Sequence, residues 1–102
     1  MTRKLEPAQV REALATLPHW TLDETRSAIS RSFRFAGFGE AFAFMTRVAL
    51  AAERADHHPE WFNVYSRVDV TLTTHDCQGL SQRDIELASL ADSTFDMLKG
   101  TS

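Results

Sequence analysis

The chain has 102 residues and a net charge of −3, and 43% of its residues are apolar against 25% that are charged. This length and composition predict one globular domain. The eleven basic residues are scattered, which argues against a surface that tracks phosphates and excludes nucleic acid as the expected ligand. No apolar run reaches the length of a membrane span, the N-terminus has no hydrophobic signal core, and Cys77 is the single cysteine. We therefore expect a cytoplasmic protein without an internal disulfide and without a membrane partner.

The first third of the chain predicts a helix followed by a β-hairpin. Residues 6–17 place apolar side chains at helical spacing, with Pro7 suited to the first helical position and Pro18 ending the run. Apolar and polar residues alternate over 20–22 and again over 29–35, which is typical of strands. The sequence DETR between these two runs suits a hairpin turn.

The central segment, residues 38–57, predicts the most apolar helix. Two further apolar residues, Phe44 and Leu50, widen its stripe beyond what a helix covered on one side needs. We expect this helix to be covered by the sheet and by a partner subunit, although a well-buried core helix fits the same pattern. The residues assigned to its main apolar face are Phe38, Ala41, Phe42, Met45, Val48, Ala49 and Ala52.

The last part of the chain predicts two strands and a helix. Residues 61–64 and 68–72 alternate like strands, and Ser66–Arg67 lies between them as a tight connection. Ser81 is a good N-cap for the final helix, and Asp84, three residues later, resembles the acidic partner of a capping box.

The element order is therefore α-β-β-α-β-β-α within a single domain, 1–102. Its simplest architecture is an α+β fold in which a four-stranded antiparallel sheet carries three helices on one face. The opposite face of the sheet must then meet water or another subunit.

Histidines collect at the corners of this architecture. His57 and His58 end the central helix, because Pro59 cannot continue it, and His75 follows the last strand. If the last two strands form a hairpin, their outer ends lie side by side and His75 returns to the helix end. Asp84 is one short loop away. Imidazole has an unperturbed pKa of about 6.5, so such a group suits general acid–base catalysis near neutral pH.

The spacing of these residues resembles the signature of a known family. Glu53, His57-His58-Pro59, Tyr65, His75 and Asp84 fall as E-x3-H-H-P-x5-Y-x9-H-x8-D, which is similar to the pterin-4a-carbinolamine dehydratases. The resemblance extends over nearly the whole chain. It implies the α+β fold described above, assembly into homodimers or homotetramers, and loss of water from a 4a-hydroxytetrahydropterin to give the quinonoid dihydropterin. It also implies a functional link to the aromatic amino acid hydroxylases, which leave such a carbinolamine behind.

The same resemblance implies a set of site residues and no metal, nucleotide or redox cofactor. His57, His58 and His75 would form the acid–base set, with Asp84 supporting His75. The pterin substrate would be held by the residues Asp56, Thr73, Thr74, Asp76 and Trp20, of which Trp20 would supply an apolar wall.

Two alternatives from other classes stay open at this point. The three histidines and an aspartate could bind zinc, although adjacent histidines diverge in an extended segment and are awkward joint ligands. The domain could also be a non-catalytic interaction module, a coactivator or an assembly factor, for which the histidines would be dispensable.

Overall fold

Three helices and four strands follow one another in the predicted order in the computed structural model, which describes residues 2–100. The predicted α+β fold is confirmed. A single 3₁₀ turn, His75–Cys77, separates the last strand from the last helix. The elements are α1 Pro7–Ala15, β1 Thr21–Asp23, β2 Ala28–Arg34, α2 Phe38–Ala55, β3 Glu60–Val64, β4 Arg67–Leu72 and α3 Gln82–Gly100.

The sheet has the strand order β1-β2-β4-β3, and every neighbouring pair is antiparallel. Alternate residues of the two central strands are buried on the face that the helices cover, for example Phe33 opposite Val68 and Ile29 opposite Leu72. In the β3–β4 hairpin, Glu60 at the start of β3 lies opposite Thr71 near the end of β4. This register brings the segment that leaves α2 beside the segment that leaves β4.

Aromatic rings fill much of the space between the sheet and the helices. The Phe33 and Phe44 ring centroids are 4.6 Å apart, and Phe95 of α3 lies 5.3 Å from Phe33. Phe33 and Phe44 are among the largest side chains with almost no exposed surface. The aromatic part of the core is therefore built by β2, α2 and α3 together.

The prediction of which side of α2 faces the core was wrong, because the helix is rotated about its axis relative to the expected orientation. Phe42, assigned to the main face, is 56% exposed, whereas Phe44 is fully buried. Ala41, Phe44, Val48 and Ala52 form the stripe that meets the core, at spacings of three and four residues. Phe38 and Phe42 pack against each other on the outside of the helix, with ring centroids 5.8 Å apart.

The connection between β3 and β4 lies one residue earlier than predicted. Val64 pairs with Arg67, so the turn residues are Tyr65 and Ser66. Tyr65 has a φ of 49°, a left-handed conformation that a turn of this length requires. The amide of Asn63 donates to the carbonyl oxygen of Arg67 at 2.8 Å and holds the turn closed.

Within residues 2–100, the helices are too short or too polar for any of them to cross a membrane.

Candidate active site

A cleft of about 290 Å³ lies at the end of the sheet where α2 and β4 terminate and α3 starts. Its volume is near the lower end for pockets that hold small organic ligands, about 300 Å³. The cleft brings together all three histidines that the sequence placed at chain corners, together with four of the five residues expected to hold a substrate. Its lining residues are Asp56, His57, His58, Thr73, Thr74, His75, Asp76 and Arg83.

The end of α2 directs the two adjacent histidines in different directions. Asp56 adopts a left-handed conformation with φ 52° and ψ 44°, and the N–H of His57 donates to the carbonyl oxygen of Ala52 at 3.0 Å. This pattern is a Schellman motif, which reverses the chain after a helix. His57 is thereby turned inward and is 7% exposed, whereas His58 stays at the surface.

The fully buried carboxylate of Asp84 links the segment that follows α2 to the segment that follows β4. Its Oδ1 lies 2.6 Å from Nε2 of His57, and its Oδ2 accepts the hydroxyl proton of Thr74 at 2.7 Å. Oδ2 also accepts the backbone N–H of Ser81 at 2.9 Å, which is the carboxylate half of the predicted capping box. Because the only hydroxyl proton of Thr74 goes to Asp84, the Ser81 hydroxyl, 2.7 Å away, must donate to Thr74.

This geometry corrects the expected role of Asp84, which contacts His57 and not His75. The physical reason is the Schellman end of α2, which turns His57 over the first turn of α3. His75 instead lies in the exposed 3₁₀ turn, with 83% of its side chain accessible. The nearest carboxylate to its ring is that of Glu60, whose Oε2 is 3.6 Å from Nε2 of His75.

His58 has a carboxylate of its own. Its Nε2 lies 2.8 Å from Oε1 of Glu53, one turn back along α2, and both side chains are exposed. An imidazole fixed in this way can donate or accept a proton at the mouth of the cleft without reorganising.

The loop between β4 and α3 is held by its own backbone. Thr74 and Gly79 exchange two hydrogen bonds, at 2.8 and 3.2 Å, around the 3₁₀ turn that carries His75. The hydroxyl of Thr73 donates to the carbonyl oxygen of Ser27 at 2.9 Å and ties this loop to the β1–β2 hairpin. The hydroxyl protons of Thr73 and Thr74 are therefore both engaged within the protein.

The chain is similar to known proteins over most of its length. A model of the family described as pterin 4 alpha carbinolamine dehydratase matches residues 3–94. The chain belongs to this family.

Relatives of this dehydratase family are similar over most of the chain. A protein of Burkholderia vietnamiensis, provisionally named as a pterin-4-alpha-carbinolamine dehydratase, is 60% identical over 92 residues, which cover 90% of each chain. A Burkholderia pseudomallei protein with the same provisional name is 58% identical and is covered to 91%.

Two solved structures have similar folds. A crystal structure from Brucella melitensis, described as a transcriptional coactivator/pterin dehydratase, superposes with a TM-score of 0.88 at 47% identity, covering 90% of this chain and 98% of that one. A pterin dehydratase-like protein identified as a RuBisCO assembly factor in the alpha-carboxysome has a TM-score of 0.66 at 19% identity, covering 74% and 88%. At that identity the second likeness concerns the fold alone.

Of the residues expected to hold the substrate, Trp20 is the one that does not line the cleft. It is 6% exposed, its ring meets Phe33 edge-on, and its Nε1 donates to Oδ1 of Asp92 at 2.9 Å. Asp92 also pairs with Arg31, so the indole N–H completes a polar cluster at the edge of the core. Trp20 is thus a core residue here and does not form a wall of the cleft.

The two other possible sites are a second cavity and a zinc site. A larger cavity of about 530 Å³ lies beside α1, but its lining includes no histidine. As for the zinc alternative, no group of three or more His, Cys, Asp or Glu side chains between residues 2 and 100 is arranged to hold a metal ion.

Sequence reasoning missed two charged residues at this site of the dehydratase fold. Arg83 lines the cleft from the first turn of α3, where its position next to Asp84 was the available signal. Glu60, adjacent to His75, directly follows the HHP motif. Neither residue type is unusual at a helix start or a strand start, so spacing alone did not single them out.

Proposed function

We propose that this protein removes water from a 4a-hydroxytetrahydrobiopterin to give the quinonoid dihydropterin, and so serves tetrahydrobiopterin recycling after an aromatic amino acid hydroxylase. The observation that carries the proposal is the arrangement of His57, His58 and His75 around one cleft. Membership of the dehydratase family supports the choice of substrate.

The reaction needs two proton transfers and no change of oxidation state. The C4a–O bond of the substrate breaks as its hydroxyl group is protonated and leaves as water. The ring nitrogen N5 loses its proton, and its electron pair forms the new C4a–N5 double bond. One imidazole donates the first proton and another accepts the second, so the protein returns to its starting charge.

Charged groups at the rim of the cleft suit the polar edge of a pterin. The carboxylates of Asp56 and Asp76 can accept hydrogen bonds from the amino and N–H groups of the heterocycle, and the guanidinium of Arg83 can donate to its carbonyl oxygen. Because the proton of Thr73 is engaged, we propose that its hydroxyl oxygen acts only as an acceptor toward the substrate. Thr74, whose hydroxyl donates to Asp84 and accepts from Ser81, would then hold the wall of the cleft in place.

Stopped-flow measurement of carbinolamine dehydration tests the proposal. The His57→Ala and His75→Ala variants should each lose roughly 10²–10⁴-fold in kcat, because each removes a general acid or base. His19→Ala is the matched control, since His19 is exposed, lies outside the cleft, and should leave the rate unchanged. Wild-type protein that fails to accelerate dehydration would exclude this function, and equal rates for all three variants would exclude this cleft.

We also propose that the protein assembles with copies of itself, as a homodimer or homotetramer. Large apolar side chains remain exposed on two surfaces: Phe38, Phe42 and Leu50 on α2, and Phe62 and Val64 on the open face of the sheet. Apolar surface of this kind marks interaction sites. Burial of both surfaces between copies accounts for them without a different partner.

Light scattering coupled to size-exclusion chromatography measures the assembly. The wild type should have a mass at least twice the 11.5 kDa of one chain, and Phe42→Glu or Phe62→Glu should reduce it by placing a charge in an apolar contact. A wild-type mass of one chain at micromolar concentration would contradict assembly.

A non-catalytic interaction module, the alternative function, predicts that His75→Ala retains every cellular role.

A further inference from the structure

All three imidazoles of the cleft contact a carboxylate through the same ring nitrogen, Nε2. The three carboxylates come from different parts of the chain: the first turn of α3, the last turns of α2 and the start of β3. His57–Asp84 at 2.6 Å and His58–Glu53 at 2.8 Å are hydrogen bonds, whereas His75–Glu60 at 3.6 Å is a longer ion-pair distance, just beyond a hydrogen bond.

A carboxylate has no proton to give when it is ionised, so an imidazole nitrogen that is hydrogen-bonded to it, as in His57 and His58, must carry one. In the neutral ring the other nitrogen, Nδ1, is then the acceptor, and the carboxylate fixes both the tautomer and the direction of the ring. The largely buried His57 lines the cleft.

Glu60 differs from the other two carboxylates because a cation holds it from outside the site. Nη2 of Arg26 lies 2.9 and 3.1 Å from its two oxygens. Arg26 sits in the β1–β2 turn, where its backbone N–H donates to Asp23 at 3.2 Å. That turn is tied to the wall of the cleft by the hydrogen bond from Thr73 to Ser27.

We propose that Glu60, held in place by Arg26, is a positioning residue: a small rotation of the exposed His75 ring closes the 3.6 Å gap to a hydrogen bond, and Glu60 then favours the proton of neutral His75 on Nε2. His75 then meets the substrate through Nδ1, as His57 and His58 do under the restraint of their own carboxylates. The catalytic meaning of this arrangement rests on the proposed dehydratase function, whereas the tautomer itself can be measured without substrate.

Long-range ¹H–¹⁵N NMR on histidine-labelled full-length protein reads the tautomer of each ring above its titration range. In the wild type, His75 should carry the Nε2 proton in a larger fraction of molecules than His19, which is exposed and lies outside the cleft. In Glu60→Ala this fraction should fall to that of His19. In Glu60→Gln it should fall less, because the amide oxygen can still accept from Nε2–H.

Kinetics of the same variants give the second readout. Glu60→Ala should lower kcat by about tenfold with KM unchanged, and Glu60→Gln should recover part of the loss. Glu86→Gln, an exposed glutamate on α3, is the control and should change neither readout. Equal tautomer fractions for His75 and His19 in the wild type, or an unchanged kcat in Glu60→Ala, would overturn the proposal. A wild type without dehydratase activity would overturn the function and leave the NMR result to decide the role of Glu60.

Discussion

Replacing Asp84 by alanine is expected to lower the free energy of unfolding by about 3 kcal/mol or more and to abolish most of the activity. The carboxylate is fully buried and accepts from His57, Thr74 and the backbone of Ser81, so its removal takes an acceptor from three buried polar groups. Urea unfolding and the dehydration rate measure the two effects.

The Asp84→Asn variant separates the structural effect from the chemical one. The amide keeps the shape of the side chain, and its oxygen can still accept from Ser81 and Thr74, so we expect most of the stability to remain. Its nitrogen then faces Nε2 of His57 and donates to it, which moves the proton of the neutral ring to Nδ1. A fall in kcat of ~10²-fold or more is expected from the wrong tautomer. Wild-type activity in a stable Asp84→Asn protein would refute a role for the His57–Asp84 contact.

The second large effect is expected at Phe44, whose replacement by alanine should cost about 3–5 kcal/mol of stability. Its ring is fully buried and contacts Phe33 and Phe35, with centroids 4.6 and 5.2 Å away. Truncation leaves a cavity between α2 and the sheet that the surrounding rings cannot fill. Urea unfolding should show this loss at every protein concentration.

Phe42→Ala is the matched control, two residues along the same helix. Phe42 is 56% exposed and contacts Phe38, so its truncation leaves no cavity in the core. Any loss of stability should grow or shrink with protein concentration, because it would come only through assembly. Equal, concentration-independent losses at positions 42 and 44 would contradict the rotation of α2 described above.

Most of the fold could be predicted from the sequence because its signals are local. Pro7 and Pro18 bound the first helix, period-two alternation marks β2 and β4, and Ser81 with Asp84 marks the start of α3. The rotation of α2 could not be predicted in this way. Apolar residues lie on most of its circumference, so the pattern cannot say which of Phe42 and Phe44 faces the core.

The sequence predicted that the three histidines lie close together, but it did not predict which carboxylate is nearest to each of them. Pro59 and the β3–β4 hairpin placed His57, His58 and His75 at one end of the sheet. The carboxylate partner of each ring depends on the left-handed turn at Asp56. The sequence does not predict this conformation, because neither a glycine nor a proline stands at that position. Because of that turn, the ring of His57 contacts Asp84, and the carboxylate nearest to the ring of His75 is that of Glu60.

The hydrogen-bond partner of Trp20 could not be predicted from the sequence either. The residue precedes β1, and only the approach of α3 to that end of the sheet supplies Asp92 as the acceptor for its indole N–H. Contacts between residues so distant in sequence are set by packing, which local patterns do not encode.

Titration of ¹⁵N-histidine-labelled protein with 7,8-dihydrobiopterin tests most directly whether these rings surround one small heterocycle. The ring signals of His57, His58 and His75 should shift together along a single binding curve, and those of His19 should stay where they are. Two results would contradict the placement of the site in this cleft. One is saturable binding that shifts the ring signals of His19, or of none of the other three histidines. The other is an absence of binding at millimolar pterin.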